Sequence, residues 1–585
     1  MKILGISLGH DSNFSLVDNG EIISVYEAER YYRQKRYKLQ ALNPGEEKIS
    51  GYQIVKYSDL VETLTYLKNQ WGSDFDFIAV QNQGREDEFQ RLRLILNKVD
   101  IKFKNIENFP HHLSHASLAY FTSPFGKSII FSYDGAGNDG QTLLFKAEGN
   151  QINYFKNFDV KFGQAYNNLG YIMGLKPDVA GSTAGKLMGL ASYGDVREDW
   201  KVHCRDYIIN YKKLTSTLRS NKKLDYGKNH KINSIGLNNI KEFSSHLYPK
   251  FFFSNFFSKL GIVKQYLQLE DIKNKNFQDL CKTFQTVWTE EVIKILKTST
   301  DFSENLCIVG GCALNGITNY AIEEKKIFKK VHYVPNPSDC GLSIGAALLA
   351  NYKYNEKKFN GKKFFFNPYL GDYAYDIKKI NVLKKNYYSL DLEPNIILKK
   401  IAKIIFHNNT IGIIRGRYEI GPRALGNRSI LCNPLNKNMK QILNDKVKHR
   451  EWFRPFAPVC SYEDSKKFFT NENQILYMSV ICNTKKEHQS IMPAITHVDG
   501  TARLQTVTKE TNIFLWQLIK EFENLSNFPV LLNTSFNPGG EPILNFCEVG
   551  LNMLNTTNLD YVLIEDTIFA AYKNKDKLNE IIKDI

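Results

Sequence analysis

Near its N-terminus the chain reads ILGISLGHDSNFSLVDNGEIISVYE (residues 3–27), and a similar order of features returns in SIIFSYDGAGNDGQTLLFKAEGNQINYFK (residues 128–156). Each stretch has an apolar strand, a loop with Gly and Asp, a second strand, a tight turn and a third strand. The turns, Asn19-Gly20 and Gly149-Asn150, are dipeptides typical of β-hairpins. The repeat predicts a duplicated α/β fold with a cleft between its halves, where the loops after the two first strands face each other across a ligand.

Size and composition narrow the class of protein. With 585 residues the chain is too long for one hydrophobic core and fits two or three domains. Its nine cysteines form no Cys-x-x-Cys pair, which indicates a reducing compartment and not a disulfide framework or a zinc knuckle. Because no segment resembles a signal peptide or a membrane span, we expect a cytoplasmic protein without a membrane partner.

The net charge of +16 raises the question of a nucleic-acid partner. The lysines are spread along the chain and interleaved with Asn, Ile and Phe. This distribution favours a solvated basic surface that attracts anionic small molecules over a polynucleotide-binding stripe.

The pattern of apolar and polar residues divides the chain into two domains. The first is expected over residues 1–355, with a helical insertion at about 197–300 that includes an aromatic run at 248–257. A lysine-rich stretch, 356–394, is predicted to be a linker, and the second domain is expected over 395–585.

Two histidines and two aspartates have the arrangement of a metal site. His111 and His115 stand four residues apart in a predicted helix, so their side chains share one face, about 5–6 Å apart. Asp134 follows the first strand of the second repeat, and Asp339 precedes a helix of small residues. Two imidazoles with carboxylates suit Fe(II), Mn or Zn acting as a Lewis acid. The alternative is that the histidines line a helix and the aspartates serve turns.

Other polar loops adjoin the predicted cleft. His10 follows the first strand and Lys35 follows Glu29-Arg30, and together they could supply a base and a cation near the cleft. The stretches GKLMGLA (185–191) and VGGCALN (309–315) place glycines where a backbone can approach a ligand closely. Neither matches a phosphate-binding P-loop or a dinucleotide fingerprint.

The second domain concentrates cations beside glycines and hydroxyls. Its motifs are GPRALGNRS (421–429), KHREWFRP (448–455), HVDGTAR (497–503) and NTSFNPGGE (533–541). Arginine offers bidentate geometry to phosphates and carboxylates, and each charge-assisted hydrogen bond contributes about 1.5–3 kcal/mol. Surface ion pairs explain any single arginine, but so many clustered cations predict an anion pocket.

Taken together, these motifs resemble the NodU/CmcH/TobZ carbamoyltransferase family over nearly the whole chain. The resemblance implies an α/β fold in which a duplicated actin-like (ASKHA/Kae1-like) domain is followed by a YrdC-like α/β domain. It also implies that the second domain converts carbamoyl phosphate and ATP, the latter together with Mg²⁺, into carbamoyladenylate and pyrophosphate. The first domain would then transfer the carbamoyl group, with help from Fe(II) or another divalent transition metal, to a hydroxyl of a small-molecule or sugar acceptor, and AMP would leave.

The resemblance assigns roles to residues by their positions in the motifs. His111, His115, Asp134 and Asp339 would bind the metal. Catalytic roles would fall to His10 (as general base or to orient the donor), Lys35, Arg423, Lys448 and Arg454. The residues expected to bind nucleotide or carbamoyl phosphate are Lys186, Gly310, Gly311, Asn315, Arg423, Arg428, Lys448, Arg454, Arg503 and Ser535.

Two positions depart from the family pattern. Ala184 stands where the family often has an acidic residue, and Arg36 stands where it often has histidine. Both bear more on the identity of the acceptor than on the reaction class. Two other functions stay open, a tRNA threonylcarbamoyladenosine-type modification enzyme and a non-catalytic nucleotide-sensing scaffold, and so does a homodimer.

Overall fold

The first half of the N-terminal domain is a five-stranded sheet flanked by helices. In this computed structural model, residues 1–50, 53–81, 86–135, 137–177, 182–220, 271–355, 358–363, 365–394 and 396–583 are described. The strands are β1 (Lys2–Ser7), β2 (Asn13–Asp18), β3 (Glu21–Glu27), β6 (Asp74–Gln81) and β7 (Lys102–Asn108), and a separate hairpin contains β4 (Glu47–Ser50) and β5 (Gln53–Lys56). The helices are α1 (Ala28–Tyr32), α2 (Tyr57–Trp71), α3 (Glu86–Lys98) and α4 (His111–Phe121).

The second half of this domain repeats the topology of the first. Its strands are β8 (Lys127–Tyr133), β9 (Thr142–Glu148), β10 (Gln151–Phe158), β11 (Asn305–Val309) and β12 (Lys330–His332). The sheet orders are β3-β2-β1-β6-β7 and β10-β9-β8-β11-β12, each an antiparallel meander followed by two parallel strands. The predicted duplicated actin-like α/β fold is therefore confirmed.

Two helices pack closely between the sheets. The helices of this half are α5 (Phe162–Ile172), α6 (Ala184–Leu190), α7 (Glu198–Ser220), α8 (Lys275–Leu296), α9 (Gly316–Glu324) and α10 (Leu342–Tyr354). At the crossing of α4 and α10, a Cβ on Gly345 would lie 1.9 Å from the carbonyl oxygen of Ser114. Glycine is required there, and the close crossing brings the histidines of α4 beside the segment that leads into α10.

The C-terminal domain is built on one mixed sheet of eight strands. These are β13 (Tyr388–Asp391), β14 (Ile411–Ile414), β15 (Arg428–Cys432), β16 (Ala457–Ser461), β19 (Gln505–Val507), β20 (Val530–Ser535), β21 (Tyr561–Ile564) and β22 (Thr567–Ala570). Their order is β13-β22-β21-β14-β15-β20-β16-β19, and β17 (Cys482–Asn483) pairs with β18 (Thr501–Ala502) apart from this sheet. The α/β class predicted for this domain is confirmed.

Helices cover both faces of the eight-stranded sheet. They are α11 (Ile380–Leu383), α12 (Ile397–Phe406), α13 (Met439–Gln441) with the π-helix Ile442–Lys448 after it, α14 (Tyr462–Phe468), α15 (Lys486–Gln489), α16 (Ile513–Ser526), α17 (Cys547–Thr556) and α18 (Lys575–Ile582). The apolar sides of α12 and α16 pack together over one face, with Ile401, Ile405 and Phe522 fully buried. Separate apolar clusters fill the two faces, as expected of a sheet between layers of helices.

The segment predicted to be a linker is more ordered than its lysine content suggests. Phe359, Phe366 and Leu370 are buried in the core of the first domain, and β13 joins the eight-stranded sheet by pairing with β22. The aromatic residues between the lysines supply these contacts. Of the insertion predicted at about 197–300, α7 and α8 are described, whereas residues 221–270, with the aromatic run at 248–257, lie outside the described residues. Among the helices that are described, none has the length and apolar character needed to cross a membrane.

Candidate functional site

Four side chains of the first domain converge on one point. The ligand atoms of His111, His115, Asp134 and Asp339, which we call the four-ligand cage, all lie within 4.8 Å of one another. Asp134 Oδ2 is 3.2 Å from Nε2 of His111 and 3.3 Å from Nε2 of His115. Asp339 Oδ1 is 3.7 and 3.5 Å from the same two nitrogens. Residues from α4, the end of β8 and the start of α10 thus meet as the sequence predicts.

The second oxygen of each carboxylate is held by another residue predicted to be functional. The backbone N–H of Gly311 donates to Asp134 Oδ1 at 2.9 Å, and Nε2 of His10 lies 3.3 Å from Asp339 Oδ2. His10 Nδ1 also lies 2.9 Å from Asp11 Oδ2, so both of its ring nitrogens face carboxylates. Each aspartate therefore directs one oxygen into the cage while the protein fixes the other.

The imidazoles and carboxylates of the cage shift one another's pKa values. Burial raises the pKa of Asp134, but hydrogen bonds from the two cage histidines hold it well below its usual range. Burial lowers the pKa of His115, but hydrogen bonds to the two cage aspartates outweigh it and raise the pKa to about 9. The charge of Asp339 likewise raises the pKa of His10 to about 9.

The donor set of the cage fits a divalent transition metal. Two imidazole nitrogens and two carboxylate oxygens, nearly all buried, form a mixed N/O set of the kind that binds Fe, Mn or Zn. Metal binding would displace the additional proton that His115 otherwise carries.

Five cations of the second domain form a cluster, which we call the cation cluster. Its members are Arg423, Lys448, Arg450, Arg454 and Arg503. Within the residues that the structure describes, Glu451 is the one carboxylate paired with a member, at 3.6 Å from Arg454 Nη1. The Nε of Arg423 is buried without a hydrogen-bond partner. The cluster therefore carries several positive charges more than its protein surroundings offset.

The pKa values of the arginines in the cluster reflect their burial and their uncompensated charge. Burial and the charge of Arg454 lower the pKa of Arg423 to about 10, and the same two causes lower that of Arg450 to about 9. The pKa of Arg503 falls well below its usual range through burial and the charges of Arg423 and Arg454. Bound anions would relieve this mutual repulsion.

Lys448 sits at the end of β20, where the Asn-Thr-Ser motif lies. Its Nζ donates to Asn537 Oδ1 at 2.8 Å and to the carbonyl oxygen of Ser535, whose hydroxyl donates to Asn537 Oδ1 at 2.7 Å. Burial and the charges of Arg450, Lys35 and Arg454 lower its pKa. Lys35 of the first domain is therefore near enough to Lys448 to act on it electrostatically.

The first domain supplies one wall of the cation cluster. Lys186 Nζ forms an ion pair with Glu451, and Arg503 Nη2 lies 3.8 Å from the sulfur of Met188, so α6 faces the cluster. Phe453, between Arg450 and Arg454 in sequence, is buried in the apolar core of the first domain. The Gly-Lys-Leu-Met motif and the arginine motifs, far apart in sequence, share one interface.

Several predicted binding residues have other contacts. All five N–H groups of Arg428 donate within the protein, to Asn545 Oδ1 and to backbone carbonyls, so this residue has no donor left for a ligand. Asn315 caps α9 through the N–H of Thr318 and also hydrogen-bonds Gln285. Gly310 has φ +94°, and a Cβ there would lie 2.3 Å from the carbonyl oxygen of Tyr133. These contacts make Arg428 a structural residue and show that Asn315 and Gly310 shape the loop beside Asp134.

Other polar residues at this interface were not among those predicted to be functional. Glu451 pairs with Lys186 of the first domain, whereas Arg450 donates to Asn444 Oδ1 and to the carbonyl oxygen of Pro455 within its own domain. His497 is buried, with Nδ1 2.9 Å from Thr501 Oγ1 and Nε2 without a partner. The charges of Arg503 and Lys440 help burial to lower its pKa to about 4. In the sequence, the signal for Arg450 is its place among the repeated cations of the motif at 448–455.

The four-ligand cage and the cation cluster thus lie in two adjoining α/β domains. The family model described as carbamoyltransferase N-terminus matches residues 2–348, and the one described as carbamoyltransferase C-terminus matches residues 402–571. Since these matches cover well over half of the sequence, the chain belongs to the carbamoyltransferase family and is a carbamoyltransferase enzyme.

Relatives match over most of both sequences. The chain is 31% identical to an uncharacterized protein of Synechocystis, across 97% of this chain and 96% of that protein. It is 28% identical to Nodulation protein U of Rhizobium tropici, across 92% and 91%. It is 26% identical to Nodulation protein NolNO of Sinorhizobium fredii, across 95% and 78%.

Similarities to solved structures are remote. Component A of (R)-2-hydroxyglutaryl-CoA dehydratase from Acidaminococcus fermentans is 13% identical, with 60% of this chain and 98% of that chain covered and a TM-score of 0.33. Full-length HypF in a phosphate- and nucleotide-bound form is 14% identical, with 61% and 56% covered and a TM-score of 0.30. Scores this low carry no weight for function.

Proposed function

We propose that the protein is an ATP-dependent O-carbamoyltransferase. Carbamoyl phosphate loses its phosphate to water and leaves carbamate, whose oxygen attacks the α-phosphorus of ATP, so that pyrophosphate departs and carbamoyladenylate forms. A hydroxyl of a small-molecule or sugar acceptor then adds to the carbamoyl carbon. The acceptor loses its proton, the carbamoyl C–O bond to AMP breaks, and AMP leaves.

The observation that carries this proposal is the uncompensated charge of the cation cluster. Carbamoyl phosphate, ATP and pyrophosphate are all anions, and the cluster presents four arginines and a lysine with one carboxylate partner among the described residues. Preorganised cations stabilise the charge that develops on a phosphoryl group without reorganisation during the reaction. We therefore assign adenylate formation to Arg423, Lys448, Arg454, Arg503 and Ser535.

The four-ligand cage suits the second step. A divalent transition metal such as Fe(II), when bound by His111, His115, Asp134 and Asp339, would act as a Lewis acid toward a carbonyl oxygen. His10 has both nitrogens directed at carboxylates, which favours orienting the donor over acting as a general base. Asp134 and Asp339 are fixed by Gly311 and His10, so the cage keeps its shape as substrates exchange.

The domain interface supports a route between the two centres. Lys186 and Met188 of α6 reach the cation cluster, and the same half of the first domain supplies Asp134 and Asp339. Lys35, in the first half of the first domain, acts electrostatically on Lys448. An adenylate made at the cluster would thus be enclosed by residues of both domains.

The direct test incubates purified protein with ATP, Mg²⁺ and radiolabelled carbamoyl phosphate. We expect AMP and pyrophosphate to form only when carbamoyl phosphate is present, and label to appear in a carbamoylated product once a cell extract supplies acceptors. ATP binding without carbamoyl-phosphate-dependent pyrophosphate release would contradict the proposal and favour a nucleotide-sensing scaffold. Specific retention of tRNA with a steep salt dependence would favour tRNA modification.

A further inference from the structure

An ion pair of the first domain is enclosed between the two domains. Glu27 ends β3 and Arg30 lies in α1; Arg30 Nε is 2.7 Å from Glu27 Oε2, with side-chain exposures of 0% for Arg30 and 3% for Glu27. Desolvation offsets most of the attraction in a buried pair, so apolar side chains of similar volume would often stabilise a fold as well. The pair is therefore better explained by the orientation it imposes than by the stability it adds.

Both members of the pair hydrogen-bond to the same backbone segment of the second domain. Glu27 Oε1 accepts the N–H of Gly421 at 2.7 Å, and Arg30 Nη2 donates to the carbonyl oxygens of Gly421 at 2.9 Å and Glu419 at 2.7 Å. The ring of Tyr418 covers the guanidinium at 4.6 Å. Backbone groups on each side of Gly421 are thus fixed from the first domain, two residues before Arg423 of the cation cluster.

The opposite side of Gly421 rests on the segment that leads to the cage. Gly421 has φ +91°, and a Cβ there would lie 2.3 Å from the carbonyl oxygen of Pro335. Residues 335–339 run directly from this contact to Asp339. The backbone at Gly421 is therefore held between the Glu27–Arg30 pair and the loop that carries a cage ligand.

A second connection joins the pair to the cage. Glu27 is paired across β2 and β3 with Asn13, whose side-chain amide donates to the carbonyl oxygen of Asp339 at 2.8 Å. Asn13 Oδ1 accepts the N–H of Ser343 at 3.0 Å, which fixes the start of α10. The pair thus contacts the segment around Gly421 directly, and it reaches the loop that carries Asp339 through Asn13.

We propose that Glu27 and Arg30 are positioning residues that set the separation and orientation of the cation cluster relative to the four-ligand cage. This inference rests on the proposed function. With the pair intact, carbamoyladenylate passes from the cluster to the cage while enclosed by both domains. If the pair is broken, the adenylate escapes to water, which adds to the carbamoyl carbon and yields carbamate and AMP.

Retention of the intermediate tests this role without an identified acceptor. Protein is mixed with ATP, Mg²⁺ and radiolabelled carbamoyl phosphate, and after one turnover the labelled adenylate on the protein is separated from free label by rapid gel filtration. Pyrophosphate release is measured in parallel. For Glu27→Gln and Arg30→Lys we expect at least a 10-fold loss of retained label while the initial rate of pyrophosphate release stays within 2-fold of wild type.

The controls separate positioning from general damage. Lys326→Gln breaks an exposed interdomain ion pair, Lys326–Glu472, and should retain label as wild type does. If the single variants do not fold, the double variant Glu27→Gln/Arg30→Gln leaves no unpaired charge, and Tyr418→Phe removes hydroxyl bonds to β3 while keeping the ring. The same loss of label is expected of the double variant and a smaller one of Tyr418→Phe.

Two outcomes would overturn the inference: folded variants that retain label as well as wild type does, or retention and pyrophosphate release that fall in parallel. Failure of the proposed function looks different, because wild-type protein would then release no pyrophosphate in response to carbamoyl phosphate.

Discussion

The four-ligand cage and the cation cluster both gather ionisable side chains from distant parts of the chain, but their charges balance differently. In the cage, two imidazoles face two carboxylates, so each acidic group has basic partners within hydrogen-bonding distance. In the cluster, cations face one another, and burial together with their mutual repulsion lowers the pKa values of Arg423, Arg450 and Arg503. The cage can therefore persist without its ion, whereas the cluster remains under repulsion until an anion binds. The difference supports the proposal of a cation site in one domain and an anion site in the other.

The largest expected effect comes from removing a cage ligand. Because a metal Lewis acid is worth several kcal/mol, His111→Ala should slow carbamoyl transfer by more than about 1000-fold. Pyrophosphate release should stay within about 2-fold, since the cluster is untouched. Label transfer to an acceptor in cell extract and pyrophosphate release measure the two steps, and bound metal per chain is determined alongside, with the exposed His407→Ala as control. Equal loss of both steps would show that the centres do not divide the reaction as proposed.

A cluster variant should show the reverse pattern. Loss of a charge-assisted hydrogen bond of about 1.5–3 kcal/mol predicts that Arg503→Ala lowers kcat/KM for carbamoyl phosphate by about 10- to 150-fold. The metal content should not change. Steady-state pyrophosphate release measures the loss, and Arg197→Ala, an exposed arginine paired with Asp199, is the control. Unchanged kinetics in Arg503→Ala would exclude this residue from the donor pocket.

Binding of pyrophosphate, without any reaction, should distinguish the cation cluster from the four-ligand cage. At 100 times its Kd, pyrophosphate should stabilise the wild-type protein by about 2.7 kcal/mol through mass action. Thermal unfolding measures this shift, which should be lost in Arg423→Gln and kept in His111→Ala. Stabilisation that persists in Arg423→Gln would place the bound pyrophosphate outside the cluster.

The smallest effect is on the ligand-free protein. Arg423 is repelled by Arg454, so Arg423→Gln should raise the free energy of unfolding by about 0.5–1 kcal/mol when no anion is present. Asp134→Asn, which removes a charge that the cage does balance, should lower it. Denaturant unfolding of the two variants side by side checks the opposite signs. A destabilised Arg423→Gln would mean that packing of the guanidinium outweighs its repulsion.

Local patterns made much of the fold and part of the site predictable. The two hairpin repeats indicated the duplicated sheets, and helical periodicity placed His111 and His115 on one face. These inferences succeeded because each depends on residues close in sequence. The order of the segment 356–394 could not be predicted in this way, because the burial of Phe359 and Phe366 depends on a core formed by residues distant in sequence.

The sequence did not reveal which arginines are free to bind an anion. Arg423 and Arg428 stand five positions apart in one motif, and both look like anion ligands. In the structure, Arg428 is fully buried and donates every N–H to the protein, whereas Arg423 faces other cations. The residue type is the same, and the surrounding acceptors decide the role.

The sequence by itself determined which chemical groups are available and which local elements carry them: the histidine pair on a helix, the aspartates at loop starts and the cations beside glycines. Only the tertiary structure decided which of these groups meet. Arg30 and Glu419, in contact through one hydrogen bond, are 389 positions apart in sequence. Such pairings follow from the packing of whole domains, because a hydrogen bond forms only when both backbones bring donor and acceptor within about 3 Å.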